Sequence, residues 1–195
     1  MKRLPQNETR ERIMDSAEKL FMARGFNAVK LRDIAEEVGM KHASLYYYVP
    51  KGKDQLFAEV VRRSMARHNQ QMKLSVKNAG DDFQQQVYAI SDWLTSQPPI
   101  DLPRMAGVDL PALSPELAKE LETLVMVSLN EPIVDMFQQA KQNGVAEIDN
   151  TGMASMSLLT VLQSIHHIPP IYVPDGLQAF GRRLVDMLLK GWLAR

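Results

Sequence analysis

Read as a succession of apolar and polar positions, the chain carries almost no alternation of period two, and helical spacing dominates. Ile13, Ala17, Leu20 and Phe21 fall on one face of a first helix, which stops at Gly25. Leu31, Ile34, Ala35 and Val38 make the apolar face of a two-turn second helix, punctuated by Gly39. A stubby third helix follows over residues 42–48, in which Leu45 and, just beyond, Val49 plug a small core. His42, Ser44, Tyr46 and Tyr47 are left pointing outward. Pro50-Lys51-Gly52 breaks the chain, and a long fourth helix begins near Lys53 with Leu56, Phe57, Val60 and Val61. It runs to about Lys77, where Asn78-Ala79-Gly80 ends it.

A fifth helix is expected over residues 82–96. Between Gln97 and Pro115 lie five prolines, so that stretch reads as an irregular connection with at most a short helix. Ser114-Pro115-Glu116 is a good helix start, with serine as cap and proline in the first turn. The helix it opens continues to about Asn143-Gly144 and should kink or divide at Pro132. The next helix, over residues 150–168, contains no charged residue, and none occurs from Asn150 to Pro174. Such a helix must be covered on most sides. Gln163, the histidine pair and the Ser/Thr content argue against a membrane span. After Pro169-Pro170, a last helix over residues 175–190 is apolar at Leu177, Phe180, Leu184, Met187 and Leu188, with Val185, Leu189 and Trp192 widening that face. Two closing helices with arcs this broad exceed the needs of one core, and the surplus reads as a homodimer interface. The expected fold is all-α: a three-helix N-terminal domain over residues 1–52, then a larger helical domain over 53–195, linked by the helix at 53–77.

Charge alters the picture more than composition does. A neutral total conceals 16 Lys and Arg against 9 Asp and Glu in residues 1–78, and 7 against 14 in the remainder. A basic front module suits a protein that presents one end to a polyanion. With no cysteine, disulfides, thiolate nucleophiles and Cys-ligated zinc are excluded. The first residues lack the apolar core of a signal peptide, and a cytoplasmic location is expected.

A supporting helix, a tight glycine turn and a second helix with reachable polar side chains are the parts of a helix-turn-helix. Here they lie in order. The segment resembles the TetR-type transcriptional regulators through Leu20-Phe21, Gly25-Phe26, Ile34-Ala35, Gly39, Leu45-Tyr46 and Lys53-Asp54-Gln55-Leu56, about 50 residues at ordered spacing. The resemblance puts Lys41, His42, Ala43, Ser44 and Tyr47 at groove-facing positions of the recognition helix. It sets Tyr46 and Tyr48 near phosphates and makes Lys53 a phosphate contact. For Tyr46, Tyr47 and Tyr48 the alternative is that one or more packs inward, Tyr48 before Tyr47. The chemistry agrees: His42 and Ser44 can bond base edges, tyrosines can reach phosphates or thymine methyls, and lysine neutralises charge. Two departures stand out. Where the family has Thr-Thr or Thr-Ser opening the second helix, this chain has Val29-Lys30, so the hydroxyl cap is lost and Lys30 or Arg32 is left to meet the phosphate. Lys53 also falls one residue later than in the commonest version of the loop.

By the same resemblance, the rest of the chain would hold a small-molecule pocket and the dimer surface. Trp93, Met105, Met126, Phe137, Met156 and His166 are candidate linings, being bulky, adaptable or able to hydrogen-bond; ordinary core is the alternative for each. The stripe Ser157, Thr160, Ser164 and His167 fits a close helix contact as well as a ligand. No metal site is expected, because adjacent helical histidines diverge and no carboxylate lies at helical spacing beside them. No cofactor is implied, and no nucleophile with a nearby base or phosphate-binding glycine loop suggests an enzyme. The function expected is a dimeric, ligand-responsive regulator of transcription, in such families most often a repressor, acting at a near-palindromic operator. A non-specific architectural DNA binder, and then an enzyme using the helical pocket, are the alternatives.

Overall fold

The computed structural model describes residues 6–193. Among them the chain is helical, with one isolated bridge between Ala146 and Leu193 in place of any strand. The helices are α1 (Gln6–Ala28), α2 (Leu31–Val38), α3 (His42–Tyr48), α4 (Gly52–Asn78), α5 (Phe83–Ser96), α6 (Leu102–Arg104), α7 (Pro115–Gln142), α8 (Thr151–Ser164) and α9 (Leu177–Trp192). Between α6 and α7 come a π-helical turn, Met105–Asp109, and a 3₁₀ turn, Leu110–Ala112. The all-α expectation is met, and the proline-rich stretch is as irregular as its sequence implies. No described helix is long and apolar enough to cross a membrane.

Packing gathers the chain into two compact units. One holds the described residues up to Met65 together with Asp101–Val125; the other holds Ala66–Ile100 and the described residues from Met126 onward. In the first unit, α1 breaks at Gly25, whose φ of 79° and ψ of 166° no L side chain adopts without strain. Ile13, Ala17, Leu20 and Phe21 of α1 are buried, as are Ile34, Ala35 and Val38 of α2, Leu45 of α3, and Leu56, Phe57, Val60 and Val61 of α4. Phe57 sits edge-on to Phe21 at 5.2 Å and 5.0 Å from Phe26. Gly39 turns the chain from α2 toward α3 in the left-handed conformation, with φ 75°. Lys30 occupies the cap of α2 with no side-chain cap bond of its own, and the Asp33 carboxylate compensates by accepting from Lys30 N at 2.9 Å. On the other face, Arg63 of α4 reaches Glu11, Asp15 and Glu18 of α1.

In the second unit, Phe137 is fully buried between Phe83 and Trp192. Gly181 lets α9 approach α5 closely: a Cβ there would lie 2.9 Å from Ser91 Oγ and 3.1 Å from Thr95. Helix α8 is covered on one side only, by way of Ala154, Ser155, Leu158, Leu159 and Leu162; Met153, Met156, Ser157, Thr160 and Ser164 stay exposed. Of the kink or division expected at Pro132, division does not occur: α7 runs through the proline without ending. Proline has no N–H for the carbonyl of Ser128, one turn back. The side-chain amide of Asn69, on α4, supplies the missing donor at 3.0 Å and bonds Glu131 as well. Asn69→Ala would strand this largely buried carbonyl. Unfolding in urea should then show a loss of about 1–3 kcal/mol, against changes within about 0.5 kcal/mol for ordinary surface substitutions.

Candidate nucleic-acid interface

Helix α3 is short because it has one task for its apolar side. Leu45 is fully buried and Val49, its C-cap, nearly so, which pins the helix by a single edge. Everything else it carries is displayed. Lys41, His42, Ala43 and Ser44 are exposed, Tyr46 is 49% and Tyr47 68% exposed, and Tyr48 is half-buried. The rings pair edge to face along the helix, His42 with Tyr46 at 5.1 Å and Tyr47 with Tyr48 at 5.2 Å. Pairing of this kind holds aromatic side chains in place at little further entropic cost. Tyr47 and Tyr48 also line a cleft of about 280 Å³ with Arg10, Lys51 and Gln55, so cations and phenols stand together beside the outer face of α3.

The residues expected to meet phosphates are distributed unevenly. Lys30 and Arg32 are exposed at the start of α2, Arg32 lying 3.6 Å from Glu36 on its own helix. Val29, in the place where the family has a hydroxyl, is fully buried. Lys53 is more engaged than its sequence position suggests. Its ammonium donates to the carbonyls of Phe26 at 3.0 Å and Val29 at 3.2 Å, and lies 4.0 Å from the centre of the Phe26 ring. An ammonium has three donors, so it fastens the α1–α2 corner and has one left to offer.

The candidate ligand linings are scattered. Met105 is buried in the first unit, the other five belong to the second. Phe137 is a core aromatic, whereas Met126 and Met156 are exposed. Trp93 donates to buried His68 at 3.3 Å and lines an open groove of about 560 Å³ with Tyr88, Asp92 and Arg182, which contains none of the other candidates. Nε2 of His166 is buried without a hydrogen-bond partner. Among the described residues no group of three or more His, Asp or Glu could hold a metal ion.

Two residues that the sequence reading passed over stand out. Asp109, 3% exposed, accepts from the backbone N of Phe26 at 2.8 Å, and Arg104 bonds that carboxylate and the carbonyls of Phe21 and Met22. Their only signal was compositional: with Asp101 they are the sole charges between Gln97 and Pro115.

A glycine-turned pair of helices, the second anchored by one leucine and otherwise facing outward, defines a helix-turn-helix DNA-binding module. Residues 13–60 match the family model described as bacterial regulatory proteins, tetR family. The stretch is 38% identical over 56 residues to an uncharacterized HTH-type transcriptional regulator, YxaF, and 41% identical over 54 residues to the HTH-type transcriptional regulator LmrA, both of Bacillus subtilis (strain 168). Each alignment spans 29% of the relative's own length, and 29% and 28% of this chain. The chain shares its fold with the fatty acid degradation regulator FadR from Bacillus halodurans, at a TM-score of 0.72 and 18% identity, covering 98% of each chain.

Proposed function

We propose that the protein is a dimeric, ligand-responsive transcriptional regulator that represses from a near-palindromic operator and is released by a small molecule. The observation that carries this reading is the outer face of α3, where His42, Ala43, Ser44, Tyr46 and Tyr47 are exposed on a helix anchored by Leu45. Two such helices, one per protomer, would enter successive major grooves about 34 Å apart. Dimerisation through α8 and α9 is supported by Met153, Met156 and Met187, large apolar side chains that stay exposed on these helices among the described residues. Effector binding in the helical part is supported by the unpartnered, buried Nε2 of His166, since such atoms ordinarily find a partner. The effector acts only through a difference in affinity for the two arrangements of the DNA-binding modules.

Selection of bound sequences from a random duplex pool tests the reading. A regulator prefers its selected site over random duplex by about 10³-fold or more; equal affinity for all duplexes would instead make the protein an architectural binder. On the selected operator, Lys53→Ala should weaken all sites alike and lower the slope of log affinity against log salt by about 1. An unchanged slope with lowered stability would assign Lys53 wholly to the α1–α2 corner.

A further inference from the structure

Phe26 is a core residue just past the break in α1, and its backbone is held from two directions. Lys53, at the start of α4, takes its carbonyl, and Asp109 takes its N–H. Asp109 reaches it from the π-helical turn that follows α6, in a part of the chain more than 80 residues distant in sequence. A buried carboxylate needs a cation and good hydrogen bonds. Arg104 meets that need with Nε at 3.3 Å from the carboxylate, while its NH2 group spans the carbonyls of Met22 at 2.8 Å and Phe21 at 3.3 Å, just ahead of the break in α1 at Gly25. The fit has no slack: a Cβ on Gly25 would stand 3.0 Å from Asp109 Oδ1 and 3.3 Å from Arg104. Arg104 is itself steadied by Asp101, which caps α6 by accepting from Arg104 N at 2.9 Å.

The consequence is mechanical. Helix α4 leaves the DNA-binding module and runs on to Asn78, and α7 begins within the same compact unit and runs on to Gln142. Attached through α4 alone, the module could pivot about the first turn of that helix. The Arg104–Asp109 clip adds a second attachment, through the stretch that leads into α7.

Resting on the dimeric DNA-binding reading above, we propose that Arg104 and Asp109 are positioning residues for DNA recognition: they fix the aim of each module and so set which half-site spacing the dimer accepts. Neither residue belongs to the face that meets bases.

The test uses the full-length protein and a series of duplexes built from the selected operator, with spacers lengthened or shortened by one to three base pairs, plus a duplex with a single half-site. Wild-type protein should favour one spacing by about tenfold or more. With Arg104→Ala, and independently Asp109→Asn, the preference should fall to within about threefold while single half-site affinity changes by less than about twofold. A residue that merely stabilised the module would lower affinity on every duplex in proportion and leave the spacing preference intact. Exchange of the Phe26 amide hydrogen should quicken in Arg104→Ala before the rest of the module loses protection. Unaltered spacing preference in either folded variant overturns the clip; absence of any preferred sequence in the wild type overturns the regulator reading and the clip with it.

Discussion

Leu45→Ala should abolish operator binding through the fold and not through the DNA contacts. Leu45 has no exposed surface, and it is the one fully buried residue of a seven-residue helix. Removing a buried leucine side chain costs about 2–5 kcal/mol, the spread reflecting how far neighbours can collapse into the space. Helix α3 packs on the second helix, whose Ile34, Ala35 and Val38 are themselves buried. Total stabilities are of the order of 5–15 kcal/mol, so the loss is a large share. Thermal or urea unfolding should register it without DNA present. Ser44→Ala next door is the control: exposed and free of core contacts, it should leave stability within about 0.5 kcal/mol and alter sequence preference instead. If Leu45→Ala unfolds no more readily than Ser44→Ala, then α3 is not held by its leucine.

Met187→Glu is expected to separate the dimer proposed through α8 and α9. Met187 is 69% exposed on α9, so an acidic residue there costs the isolated chain little. At a two-fold interface each substitution meets surface repeated by its own copy, and a desolvated carboxylate without a cation is expensive. Sedimentation should move from dimer to monomer. Operator affinity should drop toward that of one half-site, a loss on the order of 10³-fold given typical specific affinities. A variant that remains a dimer at micromolar concentration would exclude this face of α9 from the interface.

Most of the fold was legible because helix periodicity and punctuation agree in this chain. Gly25, Gly39 and Gly80 stop helices where the apolar stripes stop, and all three have positive φ. Asp82, Ser114 and Asn150 each accept from a backbone N–H three residues on, as cap residues do. The outward face of α3 could be read because Leu45 and Val49 leave few choices for the others. What sequence could not give were the interactions made by polar side chains across long separations. Nothing local to Pro132 announces Asn69, and nothing near Gly25 announces Asp109. Lys53 illustrates the same limit: its charge and place were evident, whereas its two carbonyl partners depend on how α1 ends. The candidate effector linings were the least legible, since a bulky apolar side chain reads alike whether it fills a core, as Phe137 does, or faces out, as Met156 does.

The proline within α7 ties two sites in the chain into one unit of inheritance. A helix that lacks a donor at Pro132 is tolerable while Asn69 lends one, and Asn69 matters as much as it does only while that proline is there. The two substitutions Asn69→Ala and Pro132→Ala are therefore non-additive by construction, the second restoring a ladder bond that makes the first nearly silent. Drift at either site is conditional on the other, so a change that is harmful alone becomes harmless in company.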